Sequence, residues 1–233
     1  MATMDFLLAT SQHISSLLED SQVSHQYLCH FLRQARQESL NVAMHPDWPE
    51  PVKRVAQALA DLQISQVSRI YHVASDYYSW PLYQRALCMT VPSTKHMCKS
   101  VIMENKRWRP EHPGSRFYCV MVQYLHSVDT NSMADYVRAL GGDKIARKHF
   151  NFRLTSPEST LEMTGFDKNG VCPFGTPVKM PIILCQSISL LKPPVFWIGA
   201  GHVDFKLAMS IQSFIDATNC LLADISVLSD KDQ

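Results

Sequence analysis

The residues best suited to chemistry lie in the stretch TGFDKNGVCPFGTP, from Thr164 to Pro177, which holds three Gly, two Pro, an Asn and a Cys. Small side chains let a ligand approach the backbone closely, and successive N–H groups of such a loop can cradle an oxyanion or a carboxylate. Pro173 and Pro177 limit loop motion and so reduce the ordering cost of binding. Cys172 lies where backbone N–H groups can lower a thiol pKa, so a cysteine nucleophile is one reading. Its partner histidine is not identifiable from sequence, and filling a small buried gap is the alternative. Lys99 stands in HMCKSVIM, a strand-like run where lysine is disfavoured except at an edge, on a wet face or at a site. A strand-mounted ammonium projecting into a pocket would fix a carbonyl oxygen or a phosphate; an ordinary solvent-facing lysine is the plain alternative.

Two further groups have chemical spacing. His25, Cys29 and His30 could place metal ligands on one helix face, Cys29 at i+4 from His25. No second cluster completes a tetrahedral set, so surface histidines and a buried cysteine account for them, and no metal or other cofactor is expected. Arg138, Lys144, Arg147, Lys148 and Arg153 stand against the single acid Asp143, and Lys99, Lys106, Arg107 and Arg109 accompany Trp108. Such clusters suit phosphate contact with stacking on a base, or simply a solvated charged face.

The elements that must position these groups follow from periodicity. Residues 4–40 contain no Gly or Pro and repeat apolar positions at Ile14, Leu17, Leu18, Leu28, Phe31, Leu32 and Ala35, a helical pattern. MHPDWPEP interrupts it, and Val52, Val55, Ala56, Leu59 and Leu62 then share one face of a short amphipathic helix. Strands are expected in QVSRIYHV, CKSVIM, RFYCVMVQYL, MPIILC, VFWIG, FKLAMS and CLLADISVL. Helices are expected in WPLYQRALCM, in TNSMADYVRAL with an Asn or Ser cap, in SPESTLEMTG with Ser156 as cap and Gly165 as stop, and in SIQSFIDAT. Irregular alternation with several short links suits antiparallel pairing and predicts an α+β domain over residues 49–229, preceded by a helical extension over residues 1–48.

Composition narrows the class. The chain has 233 residues, 46% hydrophobic and 18% charged, an ordinary globular balance. A formal net charge of +1 offers no global attraction for nucleic acid, so any such contact rests on local patches. No apolar run approaches the ~20 residues of a membrane helix, and the N-terminus lacks the basic region of a secretory signal. Seven scattered Cys without a CxxC pair read as free thiols in a reducing compartment, so a cytoplasmic location is expected.

Three segments together resemble the YbaK/prolyl-tRNA-synthetase-associated (ProX-like) editing-domain family. Its loop pattern, approximately TG-y-x-x-G-x-x-S-P-f-G before a strand, is matched at Thr164, Gly165, Phe166, Pro173, Phe174 and Gly175. MCKSVIM is similar to its lysine-bearing strand, with Lys99 in the lysine's place. FWIGAGHVDFKLAMSIQSFIDATNCLLADIS resembles its closing strand, glycine loop, strand, helix and strand. The resemblance implies a mixed, curled β-sheet, partly barrel-like and flanked by helices. It also implies a cytoplasmic hydrolase acting in trans on mischarged aminoacyl-tRNA, with an Ala-, Cys- or Pro-type ester as substrate.

An aminoacyl ester is already activated, so the site needs to hold it, stabilise the developing oxyanion and admit water. On this reading Lys99 is the catalytic residue. Asn169, Gly170, Val171, Cys172, Pro173, Gly199, Ala200, Gly201 and His202 bind substrate, with N–H groups from Gly170 through Cys172 as the cradle. A vicinal ribose hydroxyl of the substrate would orient the water. The chain departs from the family at Asn169, where a glycine is usual, at Cys172, where a serine is usual, and at Lys206, where some members carry an acidic or small polar residue. Asparagine tolerates positive φ best among non-glycine residues, so the turn is expected to survive. The competing reading is a catalytically inactive tRNA- or synthetase-binding module. An aminoacyl-tRNA synthetase or scaffold protein would then be recruited through residues 1–45. No membrane partner is expected.

Overall fold

Pro49 and Pro51 open the first described helix, α1 (Glu50–Asp61), whose buried residues Val52, Val55 and Leu59 recur at helical spacing. The computed structural model describes residues 45–112, 114–142 and 144–229. The helical extension and the His25–Cys29–His30 group therefore lie outside the described residues. After α1 come β1 (Ser68–His72), α2 (Leu82–Cys88), β2 (Cys98–Asn105), β3 (Phe117–Gln123) and β4 (His126–Val128). α3 (Thr130–Leu140), β5 (Phe152–Leu154), α4 (Pro157–Thr164), β6 (Ile182–Cys185) and α5 (Gln186–Ser189) follow. The chain closes with β7 (Val195–Gly199), β8 (Phe205–Ser210), α6 (Ile211–Thr218), β9 (Leu221–Ala223) and β10 (Ser226–Leu228).

The strands form a five-stranded sheet in the order β5-β2-β3-β6-β9, a three-stranded sheet β1-β8-β7 and a pair β10-β4. β2 pairs antiparallel with β3 and β5, whereas β3–β6 and β6–β9 are parallel. A parallel bridge between Met97 and Trp197 ties the start of β2 to β7. The result is the expected mixed α+β architecture, curled but not closed into a barrel. β3 and β6 are covered on both faces, which is why they read as continuous apolar runs rather than alternating ones. Phe214 of α6 packs edge-on against Phe174 and Phe196, linking the glycine-rich loop to the core.

Local chemistry explains where expectation and structure part. α3 is capped by Asp129, whose carboxylate accepts from the Asn131 N–H and the Ser132 hydroxyl, not by Asn or Ser. CLLADISVL is two strands: Ile225 is buried and its carbonyl accepts from Asp129 N–H, which turns the chain from the β9 edge onto β4. The parallel pairs β3–β6 and β6–β9 replace purely antiparallel links, because helices α3 and α4 lie between β3 and β6, and α6 precedes β9. β4 and β5, three residues each, carry too few residues for a period-2 signal.

Candidate functional site

Lys99 projects from β2, opposite Val122 of β3. Its ammonium donates to the Tyr124 carbonyl at 3.3 Å and lies 5.8 Å from the centre of the Tyr124 ring. The bridge at the start of β2 brings β7 alongside, so Gly199, the last residue of β7, faces the same space. Lys99, Tyr124, Asn169, Val171 and Gly199 share the wall of one cavity of about 310 Å³. Its remaining side comes from β2 and from the β5–α4 junction, including Thr155 and Thr160.

The loop from Thr164 to Pro177 is shaped by what it rests on. Gly165 ends α4 in the left-handed conformation, and its carbonyl accepts from Arg54 Nη2 at 2.7 Å. The same guanidinium lies 5.0 Å from the centre of the Phe166 ring. Further along, a Cβ at Gly175 would meet the Arg54 carbonyl oxygen at 2.8 Å, so the loop is seated on α1 at two glycines. Between these anchors Asn169 takes φ 67°, the left-handed turn that asparagine tolerates. The Gly170 N–H is spent on the Asp167 carbonyl at 3.0 Å, and the Gly170 carbonyl accepts from Gly201 N–H at 2.8 Å. Val171 and Cys172 have N–H groups with no protein acceptor among the described residues, but Cys172 is fully buried, so the expected three-amide cradle narrows to Val171 on the cavity wall. Gly199 and Gly201 serve backbone packing: a Cβ at Gly199 would lie 2.8 Å from the Val171 carbonyl oxygen, and one at Gly201 2.6 Å from that of Pro51.

A tyrosine network fastens the two sides together. The Tyr78 hydroxyl lies 3.2 Å from the Asn169 carbonyl and 3.0 Å from the Tyr124 hydroxyl. A carbonyl only accepts, so Tyr78 spends its proton on Asn169 and Tyr124 donates to Tyr78. Burial pushes both phenols above the ordinary tyrosine range and keeps them neutral. Beneath them sits Lys206, 3% exposed, with its ammonium donating to the Val203 and Phe205 carbonyls. That ammonium lies 5.2 and 4.9 Å from the ring centres of Tyr77 and Tyr78. Burial lowers its pKa to about 8; nearby Arg85 acts in the same direction, while Asp204 opposes it. Lys206 is thus buried against two tyrosine rings and two backbone carbonyls.

Other sequence candidates lie off the cavity wall. Cys172 is fully buried, and loss of solvent pushes its thiol well above the ordinary range, so a thiolate nucleophile is not supported there. Pro173 is half-buried, and Ala200 and Gly201 are buried. His202 accepts from Asp204 N–H through Nδ1 and packs edge-on against Phe205. Tyr78, Tyr124, Thr155 and Thr160 were not singled out by sequence. Tyr124 stood inside the apparent strand RFYCVMVQYL, and nothing in the local pattern distinguished it. Among the described residues, no group of three His, Cys, Asp or Glu side chains could hold a metal ion, and no helix is long and apolar enough to cross a membrane.

No protein-family model and no curated protein matches the chain. Solved structures do. One is a protein provisionally assigned as a trans-editing enzyme for prolyl tRNA synthetase, at TM-score 0.62 and 17% identity, covering 78% of this chain and 99% of that one. A second is a hypothetical protein at TM-score 0.58 and 18% identity, covering 75% of this chain and 99% of that one. A third is a scaffold used in computational epitope grafting, at TM-score 0.59 and 15% identity, covering 77% and 99%. At these identities the likeness shows a shared fold.

Proposed function

We propose that residues 49–229 form a trans-acting aminoacyl-tRNA deacylase domain that hydrolyses the ester of a mischarged tRNA. The observation that carries this reading is the common cavity: a fixed ammonium at Lys99 faces the Asn169–Val171 backbone and Gly199 across about 310 Å³. The shared fold with the trans-editing protein and the YbaK-like motifs at Lys99 and Thr164–Gly175 support the same chemistry.

In this reading the ester carbonyl lies between the Lys99 ammonium and the N–H group of Val171. Negative charge that develops on the carbonyl oxygen is met by donors already in place. Thr155 donates its hydroxyl proton to the Ile102 carbonyl at 3.0 Å, so its 2.7 Å contact with Thr160 is donated by Thr160. The pair then offers lone pairs to a donor such as the substrate α-ammonium. Water attacks the activated ester, oriented by the vicinal ribose hydroxyl, and the tRNA 3′ oxygen leaves with a proton. No protein nucleophile is required.

The test is hydrolysis of a panel of Ala-, Cys-, Pro- and Ser-tRNAs by the wild type and by Lys99→Ala. Loss of one preorganised donor costs about 10²–10³ in rate, so a drop of that size is expected with at least one substrate. An inert panel, or unchanged rates in Lys99→Ala, would overturn the assignment. An inert panel together with synthetase or scaffold binding through residues 1–45 would instead support the binding-module reading.

A further inference from the structure

Two basic segments separated by some forty positions in sequence meet at one end of the main sheet, and a single buried side chain joins them. Asn105, 3% exposed, ends β2. Its Oδ1 accepts from the N–H groups of Arg107 (3.1 Å) and Asn151 (2.9 Å), and its Nδ2 donates to the His149 carbonyl at 3.1 Å. Arg107 Nη1 reaches the Lys148 carbonyl at 2.7 Å, and the His112 and His149 rings meet edge-to-face at 5.0 Å. Arg107, Arg109 and Lys148 thereby gather around His149, Lys106 and Arg116 flank Glu104 at the same end of the sheet, and all five are exposed.

Few carboxylates offset them. Glu104 is buried and taken by Lys106 and Arg116, Glu111 stands 4.0 Å from Arg109, and Arg107 and Lys148 form no ion pair with a described residue. The five cations therefore carry a local excess of three positive charges. The field is felt by His149, whose imidazole is held below its usual range by desolvation and then by His112, Lys148, Arg109 and Arg107. Beside the cations lies an open apolar hollow of about 700 Å³ with Trp108 and Phe117 on its wall, bounded by Arg116. Cations beside half-buried aromatic rings that line an open hollow suit a polyanion whose bases can stack, which favours RNA over an acidic protein.

Position supplies the rest. Lys99 and Asn105 are the second and last residues of β2, six positions apart, so the basic face begins about 20 Å along the strand from the Lys99 ammonium's anchor. At ~3.4 Å per stacked nucleotide that span is about six nucleotides. We infer that this face binds backbone phosphates of the RNA several nucleotides from the ester while the ester occupies the Lys99 cavity. The inference rests on the deacylase reading only for the placement of the ester.

The probe is an uncharged RNA hairpin with a short single-stranded 3′ overhang, titrated by fluorescence anisotropy against the wild type, Arg107→Gln/Lys148→Gln and Lys148→Glu. Each lost phosphate contact lowers the slope of log affinity against log salt by about 0.9. The double variant should lose about 1.8 of slope, so the wild type weakens about twelvefold more than the variant between 50 and 200 mM salt. Hydrolysis of an aminoacyl-adenosine, which lacks those phosphates, should not change. Lys148→Glu, on an exposed side chain, should weaken hairpin binding without altering thermal stability. Wild-type affinity and slope in the variants, or no hairpin binding by the wild type, would overturn the inference. Patch-dependent hairpin binding with no ester hydrolysis would sustain this surface and overturn the deacylase reading alone.

Discussion

Replacing Gly199 with alanine asks whether the two glycine loops hold each other in register. A Cβ at Gly199 would lie 2.8 Å from the Val171 carbonyl oxygen and 3.0 Å from the Gly170 carbonyl carbon. Both are backbone atoms, so no side-chain rotation relieves the contact. Gly199 has no positive φ, so the perturbation is packing rather than backbone strain. Restoring an ordinary 3.4 Å contact requires the Asn169–Val171 segment to withdraw by about 0.6 Å. Overpacking of this kind costs about 1–3 kcal/mol, and each kcal/mol lowers Tm by about 2–4 °C in a domain of this size. A 1 Å displacement of a positioning group can cost ~100-fold in rate, so about a tenfold fall in kcat/KM is expected here. Urea denaturation should show a lower midpoint at unchanged slope. Gly142→Ala is the control: its φ is +71° but a Cβ there meets only Lys144 Cε at 3.9 Å. It should cost about 1–2 kcal/mol in backbone strain and leave hydrolysis intact. A Gly199→Ala protein with wild-type midpoint and rate would refute the loop-on-loop argument.

Other outcomes follow from the same geometry. Tyr78→Phe removes the hydroxyl that joins Tyr124 to the Asn169 carbonyl; about 0.5–1.5 kcal/mol of stability should go per lost hydrogen bond, with kcat reduced and a far-ultraviolet spectrum unchanged. The Cys172 thiol should resist alkylation in the native protein at neutral pH and react only on unfolding, as mass spectrometry of labelled peptides would show; rapid native labelling would contradict its burial. Lys206 has a folded pKa of about 8 against 10.5 unfolded, so between those values the unfolded chain binds more protons and stability rises with pH. The cost of charging it is fully present below about 8 and relieved toward 10.5. Lys206→Met should flatten that rise relative to the wild type in denaturation series across this window, and an identical pH profile would refute the burial argument.

How much was legible beforehand depends on the range of the interaction. α4 was readable because Ser156, Pro157 and Gly165 are local signals acting on adjacent backbone. Lys99 stood out because its charge conflicts with a strand pattern, and the loop because its glycines and prolines are dense. The glycines were read as room for a ligand. In the structure much of that room is filled by protein backbone: Gly199 against Val171, Gly201 against Pro51, Gly175 against Arg54. Such contacts join positions far apart in sequence and leave no local trace. Tyr78 and Tyr124 were silent for the same reason, and Lys206 stood out only as a departure from the family pattern, since their network exists only once β1, β8 and the Asn169 loop are assembled. β4 and β5 were missed because three residues carry too little periodicity, though β5 joins the basic segments to the main sheet.

The most direct test of the account is to map a non-hydrolysable aminoacyl-adenosine amide on the isotope-labelled protein by amide NMR. The account predicts saturable shifts at the N–H groups of Asn169 and Val171, with neighbouring change at Lys99 and Tyr124, and their loss in Lys99→Ala. Saturable binding that leaves those amides unmoved and shifts residues elsewhere would contradict it.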